Sequence, residues 1–173
     1  MDHASLFAEH RPAMVGAAYR VLGSLHDAED VVQDVWSRWS AVDLDDVRAP
    51  RAYLVQAATR QALNRLREHQ RRREEYVGPW LPEPVGDVTR LGAEGDVETA
   101  ESVSMAMLVV LAALSPLERA AFVLKEVFDV PYAEIAETLD RSEAAVRQLA
   151  HRAHSHVHAR APRTRWTHRL TRG

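Results

Sequence analysis

At 173 residues, with a net charge of -3 and no cysteine, the chain has room for one medium domain or two small ones and lacks the thiols of a disulfide framework, a cysteine-ligated zinc site or a thiol nucleophile. Its richness in Ala, Val and Leu suggests helices. Asp2 and Glu9 stand where a leader would be basic and then apolar, and no apolar run approaches the ~20 residues of a membrane span, so a soluble, cytoplasmic protein is expected.

The first helical pattern runs from about Ser5 to Leu22, with Leu6, Met14, Ala17, Ala18, Val21 and Leu22 near one face and Gly23 as its stop. Asp27 is the expected N-cap of a second helix, in which Ala28, Val31, Val32, Val35, Trp36 and Trp39 recur at helical spacing. Asp43 to Ala49 reads as a loop. Pro50 then suits the first turn of the longest helix, which runs to about Arg73 with Leu54, Val55, Ala58, Ala62 and Leu66 on its buried stripe. From Tyr76 to about Glu101 the periodicity stops, and the Pro, Gly and acidic residues there read as a flexible linker between two domains.

Beyond it, Val103 to Leu114 forms a helix, and Ser115-Pro116-Leu117-Glu118 is a capping box that opens another, ending near Asp129. Pro131 starts a short helix carrying Ile135, Ala136 and Leu139. Asp140-Arg141 makes a turn, and Ser142 caps a last helix with Val146, Leu149, Ala150, Ala153 and Val157 inward. Two short helices across a tight turn form a helix-turn-helix, which places its second helix in the DNA major groove.

The small net charge conceals a sharp segregation. Acids crowd Asp27 to Asp46 and the linker, whereas Arg60 to Arg73 and Arg141 to Arg172 are basic. Such a chain offers different faces to different partners. Arg147, Gln148, His151 and Arg152 point away from the buried positions of the last helix, where arginine can pair with guanine and glutamine with adenine. Arg60, Asn64, Arg67 and Arg71 carry a basic stripe back from the end of the long helix, further than the helix dipole alone explains, and Tyr53 is placed to stack on an unpaired base. On the second helix, Asp30, Gln33 and Asp34 form an acidic patch, suited to a basic protein partner or simply to solvent. Histidines 151, 154, 156 and 158 raise a metal reading, but no Cys or carboxylate accompanies them in the last helix, and contact with phosphate or base is preferred.

Taken together, these segments resemble the sigma-70 family in its extracytoplasmic-function branch, which keeps promoter-melting domain two and helix-turn-helix domain four. Ala28 to Trp36 is similar to the family helix that docks on the clamp of the polymerase largest subunit, and the resemblance assigns that role to Asp30, Gln33, Asp34 and Trp36. Arg48 to Arg73 resembles the segment that recognises and melts the minus-ten element, with Arg48, Arg51, Tyr53, Gln56, Arg60, Asn64, Arg67 and Arg71 as its DNA-binding residues. Pro131 to Ala136 and Val146 to Ala153 are similar to the minus-thirty-five reader, with Ser142, Ala144, Arg147, Gln148, His151 and Arg152 facing DNA. Leu149 stands where the family often has a basic residue.

The expected organisation is therefore all-α, with two small helical domains: sigma domain two over residues 1–75, an acidic linker over 76–101, sigma domain four over 102–160 and a basic tail over 161–173. The implied partners are core RNA polymerase, at the largest-subunit clamp and the flap region of the second-largest subunit, and promoter DNA. A regulatory domain or an anti-sigma protein is compatible with the resemblance as a further partner. Tyr76 to Pro84 resembles the linker of a subgroup that carries a fused C-terminal domain of the nuclear-transport-factor-like fold. The residues after Arg160 are too few for such a domain, which implies either a natural short form or a trimmed chain. Neither a cofactor nor a metal is expected, and no enzyme, because His-Glu-x-x-His, phosphate-loop and Ser-elbow motifs are lacking. A one-component helix-turn-helix regulator is the alternative. It would need a dimer to span two half-sites, and no heptads supply one.

Overall fold

The computed structural model describes residues 2–73 and 105–160, and these residues are helical with no strand among them. The N-terminal unit consists of α1 (His3–Leu22), α2 (Leu25–Trp39), a 3-10 turn (Leu44–Asp46) and α3 (Pro50–Arg73). The C-terminal unit consists of α4 (Met105–Ala112), α5 (Pro116–Phe122), a π turn that continues α5 over Val123–Val127, α6 (Tyr132–Leu139) and α7 (Glu143–Arg160). The linker reading at 76–101 and the tail reading at 161–173 fall outside the described residues.

Local chemistry sets most of the helix boundaries. The Asp2 carboxylate accepts the Ser5 N–H at 2.7 Å to open α1, and Gly23 closes it in the left-handed region at φ 74, its N–H bonded to the Tyr19 carbonyl at 2.7 Å. Pro12 lies inside α1 without ending it. The intrahelical bond it cannot donate would end on the carbonyl of Ala8, an exposed residue whose carbonyl water can satisfy. The second helix begins one turn earlier than the expected Asp27 cap. Ser24 is the cap, its hydroxyl accepting the Asp27 N–H at 3.3 Å, and Asp27 instead lies in the first turn, near the positive end of the helix dipole. The capping box forms at Ser115, whose N–H donates to Glu118 Oε2 at 3.1 Å while its hydroxyl accepts the Glu118 N–H at 3.4 Å.

Between α6 and α7 the left-handed position is taken by Asp140 at φ 53, whose N–H reaches the carbonyls of Ala136 and Glu137. This accounts for a helix-turn-helix turn without glycine, because aspartate tolerates this conformation better than most residues. Ser142 then caps α7, its hydroxyl accepting the Ala145 N–H at 3.2 Å.

Core packing departs from the expected one-faced pattern in α1. Every residue from Met14 to Leu22 is buried, Arg20 included, because α2 and α3 cover one side of the helix while α4, α5 and the π turn cover another. A helix closed in from all sides needs no polar face. The buried residues of both units, from Leu6 to Val157, form one continuous hydrophobic cluster. In α3 the buried stripe is Leu54, Val55, Ala58, Ala62 and Leu63, with Leu66 only partly buried at its edge. The buried Thr59 hydroxyl donates to the Val55 carbonyl one turn back, at 2.9 Å.

One buried cation joins the two units. The Arg119 guanidinium, on α5, donates through Nη1 to the Val21 carbonyl of α1, and through Nη2 to the carbonyls of Ala112 at 3.0 Å and Leu114 at 3.3 Å. These acceptors lie in or just beyond the last turns of α1 and α4, where helix carbonyls lack intrahelical partners and the dipole is negative.

Candidate nucleic-acid interface

On α7, Val146, Leu149, Ala150, Ala153 and Val157 face inward, leaving Ser142, Ala144, Arg147, Gln148, His151 and Arg152 exposed along the other side. Arg147, Gln148, His151 and Arg152 line one shallow surface cleft. Two of them are steadied by neighbours. Arg147 pairs with Glu143 one turn back and lies 4.7 Å from the centroid of the Tyr132 ring, an arrangement that holds a guanidinium without consuming all its donors. Arg152 Nε lies 3.2 Å from Glu118 Oε1. The hydroxyl of Ser142 is occupied as the helix cap, and Leu149 is buried and points away from any ligand on this face.

Glu118 therefore serves both the capping box and Arg152. Burial opposes its ionisation, yet the hydrogen bonds from Ser115, together with Arg152 and His156, hold its carboxyl below the usual glutamate range. A carboxyl lowered on folding contributes stability above its unfolded pKa and loses it as pH falls through the folded value. Ser115→Ala removes the hydroxyl from this set and is expected to cost about 1 kcal/mol in a urea titration at neutral pH, with the difference from the parent narrowing as acid protonates Glu118.

On α3, Arg48 before the helix and Arg51, Tyr53, Arg60, Asn64, Arg67 and Arg71 along it are exposed, with Gln56 half-buried among them. Tyr53 is 41% exposed with its ring 5.7 Å from that of the buried Trp39, so one face of a rigidly backed aromatic remains accessible. Trp39 is itself fixed by an indole N–H bond to the His3 carbonyl at 2.9 Å. Beside Tyr53, a small cleft between α2 and α3 is lined by Asp34, Arg38, Arg60 and Gln61 among others. Three of the residues expected to face the minus-ten element are met by the C-terminal unit: Arg51 lies 5.9 Å from the Phe128 ring centroid, Gln56 reaches Glu134, and Arg60 reaches the end of α6.

On α2, Gln33 and Asp34 are exposed, Asp34 lying 3.5 Å from the Gln61 side-chain amide. Asp30 is half-buried and bonded to Arg65 at 2.8 Å, a guanidinium that also lies 3.4 Å from Asp27. Trp36 is partly buried, edge-on to Phe7 at 5.0 Å, and shores up the patch from behind. Sequence reasoning missed Arg65 and Arg119. Arg65 is the residue between Asn64 and Leu66 that falls outside the basic stripe, and Arg119 is the cation that directly precedes the apolar run Ala120 to Leu124; both positions hint at an internal partner. Among the described residues no cluster of three or more metal-ligating side chains occurs, and no helix is long and apolar enough to cross a membrane.

The Sigma-70 region 2 model matches residues 6–72 and the Sigma-70 region 4 model matches residues 104–157. The chain belongs to the sigma-70 family. Its place in the extracytoplasmic-function branch follows from its similarity to the ECF RNA polymerase sigma factor SigJ of Mycobacterium tuberculosis, 47% identical over 158 residues, covering 90% of this chain and 50% of the relative. This sigma-70 chain thus spans about half the length of that curated relative. The crystal structure of M. tuberculosis SigJ superposes with a TM-score of 0.67 at 40% identity, over 89% of this chain and 52% of that one. The sigma factor RpoE from Bartonella quintana, solved in complex with the anti-sigma factor NepR, superposes with a TM-score of 0.60 over 86% of this chain and 89% of that one, and at 17% identity it speaks for the fold alone.

Proposed function

We propose that the chain works as a sigma factor of the extracytoplasmic-function type: it binds core RNA polymerase, reads the minus-thirty-five element with α7 and the minus-ten element with α3, and favours the melted promoter. The observation that carries this reading is the pairing, in one family member, of two separate nucleic-acid faces of different character. The α7 face sets Arg147 and Gln148, forked donors suited to base edges, beside His151 and Arg152. The α3 face sets an accessible aromatic, Tyr53, at one end of a row of cations, the combination that takes unstacked bases and a single-strand backbone. Melting by such a face needs only that single strand be bound more tightly than duplex, so no reacting group has to be supplied.

In this reading Asp34 and Gln33 are the exposed contacts to the polymerase, Asp30 contributes through the edge it leaves beside Arg65, and Trp36 fixes the helix that presents them. The promoter-facing assignments extend to Arg48, Arg51, Gln56, Arg60, Asn64, Arg67 and Arg71 on the minus-ten side, and to Ser142 and Ala144 at the start of α7, where they act by close approach of the helix end. The domains run over residues 1–75 and 102–160.

The two faces are distinguished by different losses. With the chain assembled on core polymerase, Arg147→Ala is expected to cost about 1–3 kcal/mol at one base pair of the upstream element and to relax the preference there. Arg67→Ala is expected to weaken binding whatever the sequence and to lower the slope of log K against log salt by about 0.7–0.9. Promoter binding across a panel of single-base variants and salt concentrations checks both. Uniform loss from Arg147→Ala, with no position affected more than the rest, contradicts the assignment of α7 as the reader.

A further inference from the structure

Two of the histidines on α7 come together. His154 and His158 stand one turn apart, their ring centroids 4.2 Å from each other and the rings inclined at 55°, with Nε2 of one 3.1 Å from Nε2 of the other. Two imidazole nitrogens this close cannot turn lone pairs toward each other without a proton or a cation between them. As a hydrogen bond, the contact needs one ring in its Nε2–H tautomer. As a chelate, it needs each ring to keep its proton on Nδ1, and both Nε2 lone pairs then serve one ion. With metal–nitrogen bonds of about 2.0–2.1 Å, the 3.1 Å separation closes an angle of about 100° at the ion, between the right angle of a square or octahedral site and the tetrahedral angle.

Spacing alone does not favour a metal over phosphate at these histidines, whereas this placement of the rings does. His156 is not part of the pair and lies on the side of Glu118. The ring nitrogens of His26 and His69 face Asp30 and Asp27, carboxylates already bonded to Arg65. Because α7 runs to Arg160, His158 belongs to its last turn, where the helix dipole favours a cation. Arg147, His151, His154 and His158 also follow one another at spacings of four, three and four residues, a single stripe along the helix. We propose that His154 and His158 bind a divalent transition metal of the kind imidazole prefers, such as copper, nickel or zinc, and that the ion takes a phosphate oxygen of the DNA on which α7 lies. Two protein ligands make an open site rather than a closed structural one, so coordination positions are left for that oxygen. The metal site rests on the two rings alone, and the phosphate contact rests on the reading of α7 as the DNA-facing helix. A recognition helix meets base edges with its N-terminal residues, so an ion about 10–17 Å beyond Arg147 falls toward the backbone. A neutral pair of rings thereby becomes a doubly charged anchor, and promoter affinity comes to depend on the supply of the metal.

The test takes the full chain, labelled with nitrogen-15, and adds Cu2+, the ion that nitrogen ligands hold most tightly among the first-row divalent metals and whose unpaired electron broadens nearby amide signals. Below one equivalent, the amides of residues 151–159 are expected to broaden in the parent and in His156→Gln, and to keep their width in His154→Gln and His158→Gln. Glutamine is a good helix former, and unchanged amide shifts in α1 show that each variant keeps the fold. No broadening at the end of α7 in the parent, or broadening there that survives both substitutions, overturns the site. A second arm measures binding of each form to a fluorescent duplex pool with and without one equivalent of Cu2+. A gain of about tenfold is expected for the parent and His156→Gln, and none for His154→Gln or His158→Gln. Copper held at the pair without that gain overturns the phosphate contact. If no form binds duplex in either condition, even at low salt, the reading of α7 falls, and the amide signals still decide the metal site by themselves.

Discussion

Arg119→Met is expected to lower the unfolding free energy by about 3 kcal/mol or more, the largest loss among single substitutions that leave the apolar core intact. Arg119 is 6% exposed, and burial pulls its pKa down to about 10, which still leaves the guanidinium charged at neutral pH. Its cost of burial is offset by three carbonyls at two helix ends, one from α1 and two at the end of α4. Methionine fills a similar length of space but leaves all three acceptors without their donor, at places where neither helix can supply one. Since one acceptor belongs to the N-terminal unit, the damage should appear both as a lower midpoint in urea and as looser contact between the units. Arg119→Lys should fall between parent and methionine, because a single ammonium keeps the charge but cannot span three carbonyls in the fixed fork of a guanidinium. A methionine variant within about 0.5 kcal/mol of the parent contradicts this role for Arg119.

Asp34→Lys is expected to lower affinity for core polymerase by at least about thirtyfold with little change in stability, the second large effect. Asp34 is exposed, at the middle of α2, and meets the Gln61 amide only at a long 3.5 Å, at the edge of the cleft it shares with Arg38 and Arg60, so the fold loses little when it changes. Against a basic docking surface the substitution both removes an attraction and introduces a like charge, and like charges at an interface cost several kcal/mol. Asp30→Lys would be a poorer probe. It would also set a lysine against Arg65 and so disturb the packing of α2 on α3. Fluorescence anisotropy of the labelled chain titrated with core polymerase measures the loss, and retention of parental affinity contradicts the assignment of α2 as the docking helix.

The sequence made the helices and most of their ends legible because those signals are local. Gly23, Pro50, the box at Ser115 and Glu118, and the cap at Ser142 each act within four residues of themselves, and each is found at its expected boundary. Asp27 misled because serine and aspartate compete for the same role, and Ser24 lies one turn earlier with its hydroxyl free to cap. The inward residues of α7 were readable from period alone, and so, by exclusion, was its outward row. What period could not reveal is the relation between the two units. Arg119 to Val21 spans 98 residues, Arg60 to Thr138 spans 78 and Thr138 to Gln56 spans 82. Each of these joins polar groups that a helix would ordinarily show to water, so nothing in the hydrophobic pattern marks them as contacts. The burial of Met14 to Leu22 on α1 has the same cause, since its second covering comes from residues 105–127, far along the chain. The candidate DNA residues on α3 were thus found as a list from the sequence, while their present engagement with α6 is a property of the folded chain.

The most direct test of the central claim is in vitro transcription from a library of genomic fragments, with core polymerase from a related bacterium in the presence and absence of the full chain. The account predicts new, discrete start sites that appear only with the chain and share an upstream and a downstream element, and predicts their loss with Asp34→Lys. Absence of new transcripts together with no binding to core polymerase would contradict it and leave a helix-turn-helix regulator as the reading to pursue.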